Sequence, residues 1–460
     1  MGKSKKKQRD PNKVGAGRML AWNARAASTG IQMLMAGYLL IYCTNALGMD
    51  AKLVGTLLMF CKLADGVTDL FAGYIVDRTN TKWGKGRPYE WCIIGLWLCT
   101  WLMFTVPTSA ALPVKCIWII ISYTLAQSVF YTFLNANGTV YMVRAFNNEQ
   151  VYVKLSSIGG IIVTLMVVVF NVIFPIFEAK VINDAAGWSK MIACFAIPLA
   201  VIGMMRFIFI KEDQHVDSGQ TEAVRVKDIL ILLKSNKYIY IVSVAAFVAA
   251  VLGNLGVSQY YFMYIVGNLE ISGVLSAISV LAMPTMLLYP LLLKKMSIPR
   301  MIQIFQVFYL IAGVLNWIAG SNLTLLVIAA IFAGIANLPN AYMSGILIVD
   351  CADYNEWQGR QRMEGTLGCL VGFANKIGSA FATFLLGAML SASGFDGTLA
   401  VQPDTAIGMI RFLFALMPVI FSAIIAIVFG FWKMDKIKPQ MLKEIEERRA
   451  EKINAAQPVE

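Results

Sequence analysis

One histidine, His215, stands among 460 residues, and charged side chains make up only 14% of them. A lone imidazole in a polar loop leaves no basis for imidazole metal sites, proton relays, or Ser/His/Asp and Cys/His catalytic sets. Phosphate-cradling glycine loops are missing as well, so the chain is not read as an enzyme. The 8 cysteines lie mostly within apolar runs, without a CxxC pair or a secretory framework, and read as packing residues with no disulfides expected. Acids are scarce too, with 27 against 39 lysines and arginines, a net charge of +12. No nucleic-acid module accompanies that charge, and the KSKKKQR run near the N-terminus reads as a solvated basic tail.

What the chain has is apolar length: 58% hydrophobic residues and a mean hydropathy of +0.66 mark an all-α integral membrane protein. Twelve spans are expected at 24–47, 53–76, 91–111, 114–142, 154–177, 191–210, 238–266, 273–293, 301–320, 323–349, 364–393 and 407–432. The first is too long for a cleaved signal. Between spans, 29 of the 39 basic residues fall on one side and only Lys52, Lys115, Lys180 and Lys190 on the other, so both termini are expected in the cytoplasm. The excess charge is thereby assigned to topology and to attraction for anionic membrane lipid. The polar stretch 211–237 splits the chain into a tail (1–20), a six-helix half (21–210), a central loop (211–237), a second six-helix half (238–432) and a C-terminal tail (433–460). Residues 226–233 have helical apolar spacing suited to a membrane-surface helix or an ordinary linker helix. Two such halves are the layout of rocking transporters.

Asp65 and Asp69 are the two acids expected deep within a span, four residues apart and hence on one helix face. Counted from the cytoplasmic Asp77 and Glu364, Asp65 and Lys376 both lie about 18 Å deep. Lys62 adds a second nearby positive charge. An inert network locking helices together is one reading; the sharper one is a seat for Na⁺ or H⁺, since intramembrane charges mark transport paths.

Three blocks carry a family resemblance: DGVTDLFAGYIVDRTNTKWGKGRP at 65–88, YCTNALGMDAKLVGTLLM at 42–59, and DCADYNEWQGRQRMEG with FANKIGSAF at 350–381. Together they resemble the glycoside–pentoside–hexuronide:cation symporters, the melibiose-permease-like branch of the major facilitator superfamily. That resemblance implies cation binding by Asp65, Asp69 and Thr124, with Thr68 where another polar residue is usual, and coupling through Lys62 and Lys376. On the solute side it sets Gln127 where an acid contacts the sugar, Tyr131 for a stacking tryptophan, Lys154 for an arginine, and Arg25 near the place of another acid. These departures put a galactoside preference in doubt and favour an anionic sugar such as a uronide. Asn135, Asn254, Tyr261 and Asn340 are further candidates for hydroxyl and ring contacts, each with an interhelical hydrogen bond as its competing reading.

The cytoplasmic charges form a candidate latch, with Asp77, Arg78 and Arg87 facing Asp350, Asp353, Glu356, Arg360 and Arg362; simple positive-inside anchoring competes with it. The expected function is cation-coupled import of a glycoside or other sugar across the plasma membrane, the inner membrane of a bacterium by resemblance. A monomer suffices, and no cofactor is needed beyond the transported ion. The alternative is a carrier of an organic anion or amphipathic lipid on the same fold.

Overall fold

In the computed structural model, residues 15–79, 81–146, 149–212, 236–360, 363–399 and 401–456 are described. His215, Arg362, the expected surface helix 226–233 and the extreme N-terminal tail lie outside them, as do the side chains of Asp77 and Lys154.

Every named element is helical. The N-terminal part runs α1 (Ala16–Gly37), α2 (Leu39–Ile41), a π-helix (Tyr42–Ala46), α3 (Ala51–Arg78), α4 (Cys92–Met103), α5 (Leu112–Thr124), a second π-helix (Leu125–Tyr131), α6 (Thr132–Phe146), α7 (Glu149–Val181) and α8 (Ala185–Phe209). The C-terminal part runs α9 (Lys237–Asn254), α10 (Ser258–Tyr261), a third π-helix (Phe262–Val266), α11 (Glu270–Ser279), a 3₁₀ stretch (Val280–Leu288), α12 (Tyr289–Leu292), α13 (Ile298–Phe305), α14 (Val307–Ala319), α15 (Leu323–Trp357), α16 (Glu364–Ala392), α17 (Asp404–Gly430) and α18 (Met434–Ala456).

Among the described residues, 10 helical runs are long and apolar enough to cross a membrane. The expected second and third spans are helical but fall outside that group. Every stretch of α3 long enough to cross holds several charges, and α4 ends after 12 residues. Burial shows the same environment from outside: α7 turns Ile161, Leu165 and Val169 outward at 63%, 59% and 51% exposure, an apolar stripe suited to lipid. Span starts are capped where the chain offers a short polar side chain. Asp184, Asn236 and Asn322 accept the free N–H groups of Ala186, Tyr238 and Thr324.

One expectation is corrected. Glu178, assigned beyond the fifth span, lies inside α7 at 0% exposure because that helix runs to Val181. Neither of its carboxylate oxygens has a hydrogen-bond partner among the described residues.

The contacts divide the chain into two units. Unit 1 comprises Met1–Met49 with Phe60–Glu222; unit 2 comprises Asp50–Met59 with Ala223–Glu460. Within unit 1, Tyr42, Phe104, Phe174 and Trp188 form an aromatic core, and Trp22 packs edge-on against Tyr141. Within unit 2, Tyr238, Tyr354 and Trp432 pack with Met434, Met441 and Ile445, so the C-terminal tail folds as α18 onto the unit. Ser391 donates to Asp50 at 2.8 Å across the first turn of α3.

Candidate cation and solute site

Two carboxylates four residues apart on α3 project on one side, as helix geometry requires. What meets them is Thr132, whose hydroxyl lies 2.7 Å from Asp69 Oδ1, 3.1 Å from Asp65 Oδ1 and 3.1 Å from the Gln127 carbonyl oxygen. Thr132 is 2% exposed, whereas Asp69 is exposed and Asp65 half-buried. Four oxygens thus converge with at most one proton among them in the ionised state, an arrangement that gains by taking up a positive charge. Hard oxygen donors suit a small cation.

Thr132 was not among the sequence candidates, and the reason is geometric. Eight residues turn an ideal helix by about 800°, which sets Thr132 about 80° away from the face of Thr124. The π-helix at 125–131 inserts one residue and restores the register. Thr124 itself has its hydroxyl 3.9 Å from Cys61 Sγ, one turn before Asp65, and Thr68 donates to the Asp65 carbonyl at 3.0 Å. Lys62 lies on α3 and Lys376 on α16, each half-buried.

The solute candidates separate into two groups. Gln127 is 8% exposed and donates to Gln32 at 3.4 Å; Gln32 donates to Thr100 at 2.9 Å, a buried amide relay that the sequence reading missed. Tyr131 points its hydroxyl at Met33 Sδ, 3.7 Å away, and Asn135 is exposed. In unit 2, Asn254 is exposed, with its amide bonded to Ala250 O at 2.9 Å, and Asn340 is buried. Two candidates are committed elsewhere. Arg25, 7% exposed, donates to Leu134 O at 2.7 Å and pairs with Glu90 at 3.8 Å. Tyr261 is fully buried, stacks on Phe414 at 4.0 Å and donates to Gly320 O at 2.8 Å.

Arg25 belongs to a charge cluster. Glu90, at 0% exposure, also faces Arg206 at 3.5 Å and accepts from Asn137 at 3.3 Å, while the Arg206 guanidinium lies 3.6 Å over the Trp22 ring.

Three latch candidates, Arg87, Asp350 and Arg360, have partners within their own units. Arg87 donates twice to Phe207 O, at 3.2 and 2.9 Å, and covers the Phe207 ring. Its loop is closed by Glu212, which accepts from the backbone of Lys85, Gly86 and Arg87 at 2.7, 2.9 and 2.8 Å and faces Arg144 at 3.7 Å. Gly84 has φ +116°, and a Cβ there would meet the Glu212 carboxylate, so glycine is required. In unit 2, Asp350 accepts from Lys438 of α18 at 2.7 Å. Arg360 is exposed and donates to Gln358, while Arg78 is exposed and Asp353 and Glu356 half-buried.

Among solved structures, the nucleoside transporter NupG matches with a TM-score of 0.61 at 14% identity, covering 90% of this chain and 100% of that one. A D-xylose–proton symporter matches at TM-score 0.60 and 14% identity, covering 91% and 97%. These show the fold. Among curated relatives, the isoprimeverose transporter of Lactiplantibacillus pentosus is 26% identical, over 91% of this chain and 88% of its own length. The glucuronide carrier protein homolog of Escherichia coli (strain K12) is 24% identical over 90% and 91%, and a putative sulfoquinovose importer of the same strain is 25% identical over 90% and 89%. Residues 24–436 match the family described as MFS/sugar transport protein, nearly the whole chain. The chain therefore belongs to that family, the glycoside–pentoside–hexuronide:cation symporters of the major facilitator superfamily, and is a multi-pass membrane transporter rather than an enzyme.

Proposed function

We propose that this protein is a cation-coupled importer of a glycoside or related sugar in the bacterial inner membrane, with twelve spans and both termini in the cytoplasm. Na⁺ or H⁺ occupies the position between Asp65 and Asp69, and Lys62 and Lys376 adjust its affinity in response to solute. The observation that carries this reading is the buried Thr132 hydroxyl bridging the two carboxylates. Such a pair in a membrane span is costly unless a positive charge neutralises it. Relatives named for isoprimeverose, glucuronide and sulfoquinovose supply the solute panel. An anionic member is favoured where Gln127, rather than an acid, faces the solute.

In mechanism, the bound ion cancels the repulsion between Asp65 and Asp69, the solute then binds, and rocking is permitted with both or neither aboard. Uptake of isotopically labelled isoprimeverose, a glucuronide and sulfoquinovose into membrane vesicles is measured with and without imposed sodium and proton gradients. Uptake of at least one solute is expected to rise with one gradient, and Asp65→Asn is expected to remove that stimulation. Coupled uptake that survives Asp65→Asn contradicts the assignment.

A further inference from the structure

We infer that Thr132 and the π-helical turn it closes transmit sodium occupancy between Asp65 and Asp69 to the side chain of Gln127; this rests on the cation site proposed above. Around the Thr132 hydroxyl, acceptors outnumber protons. The Thr132 hydroxyl has one, and three acceptors surround it: Asp69 Oδ1 at 2.7 Å, Asp65 Oδ1 at 3.1 Å and the Gln127 carbonyl at 3.1 Å. With the site empty, a charged acceptor outcompetes a neutral one, so the proton goes to a carboxylate. A sodium ion seated between the aspartates takes their lone pairs and those of the hydroxyl oxygen, and it repels the hydroxyl proton. The remaining acceptor is the Gln127 carbonyl.

That carbonyl also accepts the backbone N–H of Thr132 across the widened turn of the π-helix at 125–131. A second bond to the same oxygen tightens a turn that otherwise has slack. The Gln127 side chain is then affected directly. Its amide holds Gln32 by a long contact of 3.4 Å, while Gln32 is tied to Thr100 at 2.9 Å and Thr100 to the Leu96 carbonyl at 2.7 Å. The relay is firm at its far end and loose at Gln127, so a shift of the turn changes how Gln127 is presented. With one N–H of its Nε2 turned to Gln32, Gln127 has Oε1 as the acceptor for a donor on the solute. One residue thus meets the ion site through its backbone and the solute side through its side chain, all within unit 1. Thr124, at the other end of the same turn, has its hydroxyl near Cys61 Sγ instead.

The test uses the full-length protein in nanodiscs, sodium chloride as the only ligand and choline chloride as the ionic-strength control. Sodium affinity is read by calorimetry and turn rigidity by amide hydrogen exchange of residues 125–131. In the wild type and in Thr132→Ser, sodium is expected to slow that exchange. Thr132→Val keeps the branched shape without the hydroxyl. It is expected to bind sodium about tenfold more weakly, as the loss of one hydrogen-bonding group at a charged site implies, and to show no slowing even at saturation. Thr124→Val, whatever its sodium affinity, is expected to show the slowing at saturation. Where Thr132→Val does not fold, Thr132→Ala takes its place. Slowing in the hydroxyl-free variant equal to that of the wild type, or its loss in Thr124→Val instead, overturns the inference. A wild type that binds sodium without any change at 125–131 overturns it too, while leaving the proposed transport function standing. A wild type that binds no sodium overturns the inference, and leaves the proton as the coupling ion of the proposed function.

Discussion

Unit 1 buries Arg25, Glu90, Arg144, Glu178 and Arg206 at 7% exposure or less, whereas among the described residues of unit 2 Asp350 is the charged side chain buried to that degree. Both units bury amides and hydroxyls, in unit 2 Asn236, Gln306, Asn340 and Asn355 among them, but unit 2 also brings helix backbones together at glycine. A Cβ on Gly378 of α16 would lie 2.3 Å from the Phe247 carbonyl of α9, and one on Gly387 would lie 2.2 Å from the Ala51 carbonyl of α3. The contrast teaches that the two units hold their helices by different means. In unit 1, α1, α6 and α8 are joined around Glu90 by ion pairs and amides whose strength depends on every partner being present. In unit 2, backbones approach so closely that packing itself is the adhesive, as small residues permit in membranes.

Removing one partner from the unit 1 cluster breaks this comparison most severely. Glu90→Ala leaves Arg25 and Arg206 facing each other without the carboxylate, and a loss of about 3–5 kcal/mol is expected for such an orphaned buried pair. Thermal unfolding of the purified protein in detergent reads it. A loss below about 1 kcal/mol would mean that the Trp22 ring and the Leu134 carbonyl hold the two guanidiniums unaided.

The unit 2 counterpart is smaller and opposite in kind. Gly378→Ala adds one methyl against a backbone oxygen that has no rotamer to change, so about 1–3 kcal/mol of overpacking strain is expected. Gly372→Ala on the same helix meets nothing within 4 Å and is expected to be neutral or slightly stabilising. Equal melting temperatures for the two variants would contradict the close-crossing account.

What was legible in the sequence follows the same division. Long apolar runs reveal spans because bilayer thickness sets their length, and Asp65 and Asp69 stand out because charge interrupts such a run. Thr132 was hidden by the π-helix, which shifts the register that an ideal helical count assumes. Glu90 follows a basic loop and looks like a membrane-edge charge until Arg206, more than a hundred residues later, is folded beside it. Arg25 has the same cause: loose alignment set it near a solute contact, while its ion pair is a long-range fact. The Glu212 contacts are equally non-local, since three backbone N–H groups of the GKGR loop carry no side-chain signature of an anion site.

Glu212 sharpens the comparison through pH, with the smallest expected effect. Burial pushes its carboxyl above the ordinary glutamate range, against the pull of the Arg87, Gly86 and Lys85 amides and the Arg144 charge. The native state therefore takes up this proton more readily than the unfolded chain, so the stability contributed is present below the ordinary value and lost as pH rises through the raised one. Glu444 in α18 of unit 2 is shifted the other way, lowered by hydrogen bonds from Gln440 and Trp357. Its contribution is present above the ordinary value and lost as pH falls through the lowered one. Melting temperatures of the wild type, Glu212→Gln and Glu444→Gln across the acidic range separate the two, because the glutamines do not titrate. The wild-type melting temperature relative to Glu212→Gln is expected to fall as pH rises, and relative to Glu444→Gln to fall as pH drops. Parallel trends for both variants would mean that the backbone amides outweigh burial at Glu212, and that this loop holds its carboxylate as an exposed site would.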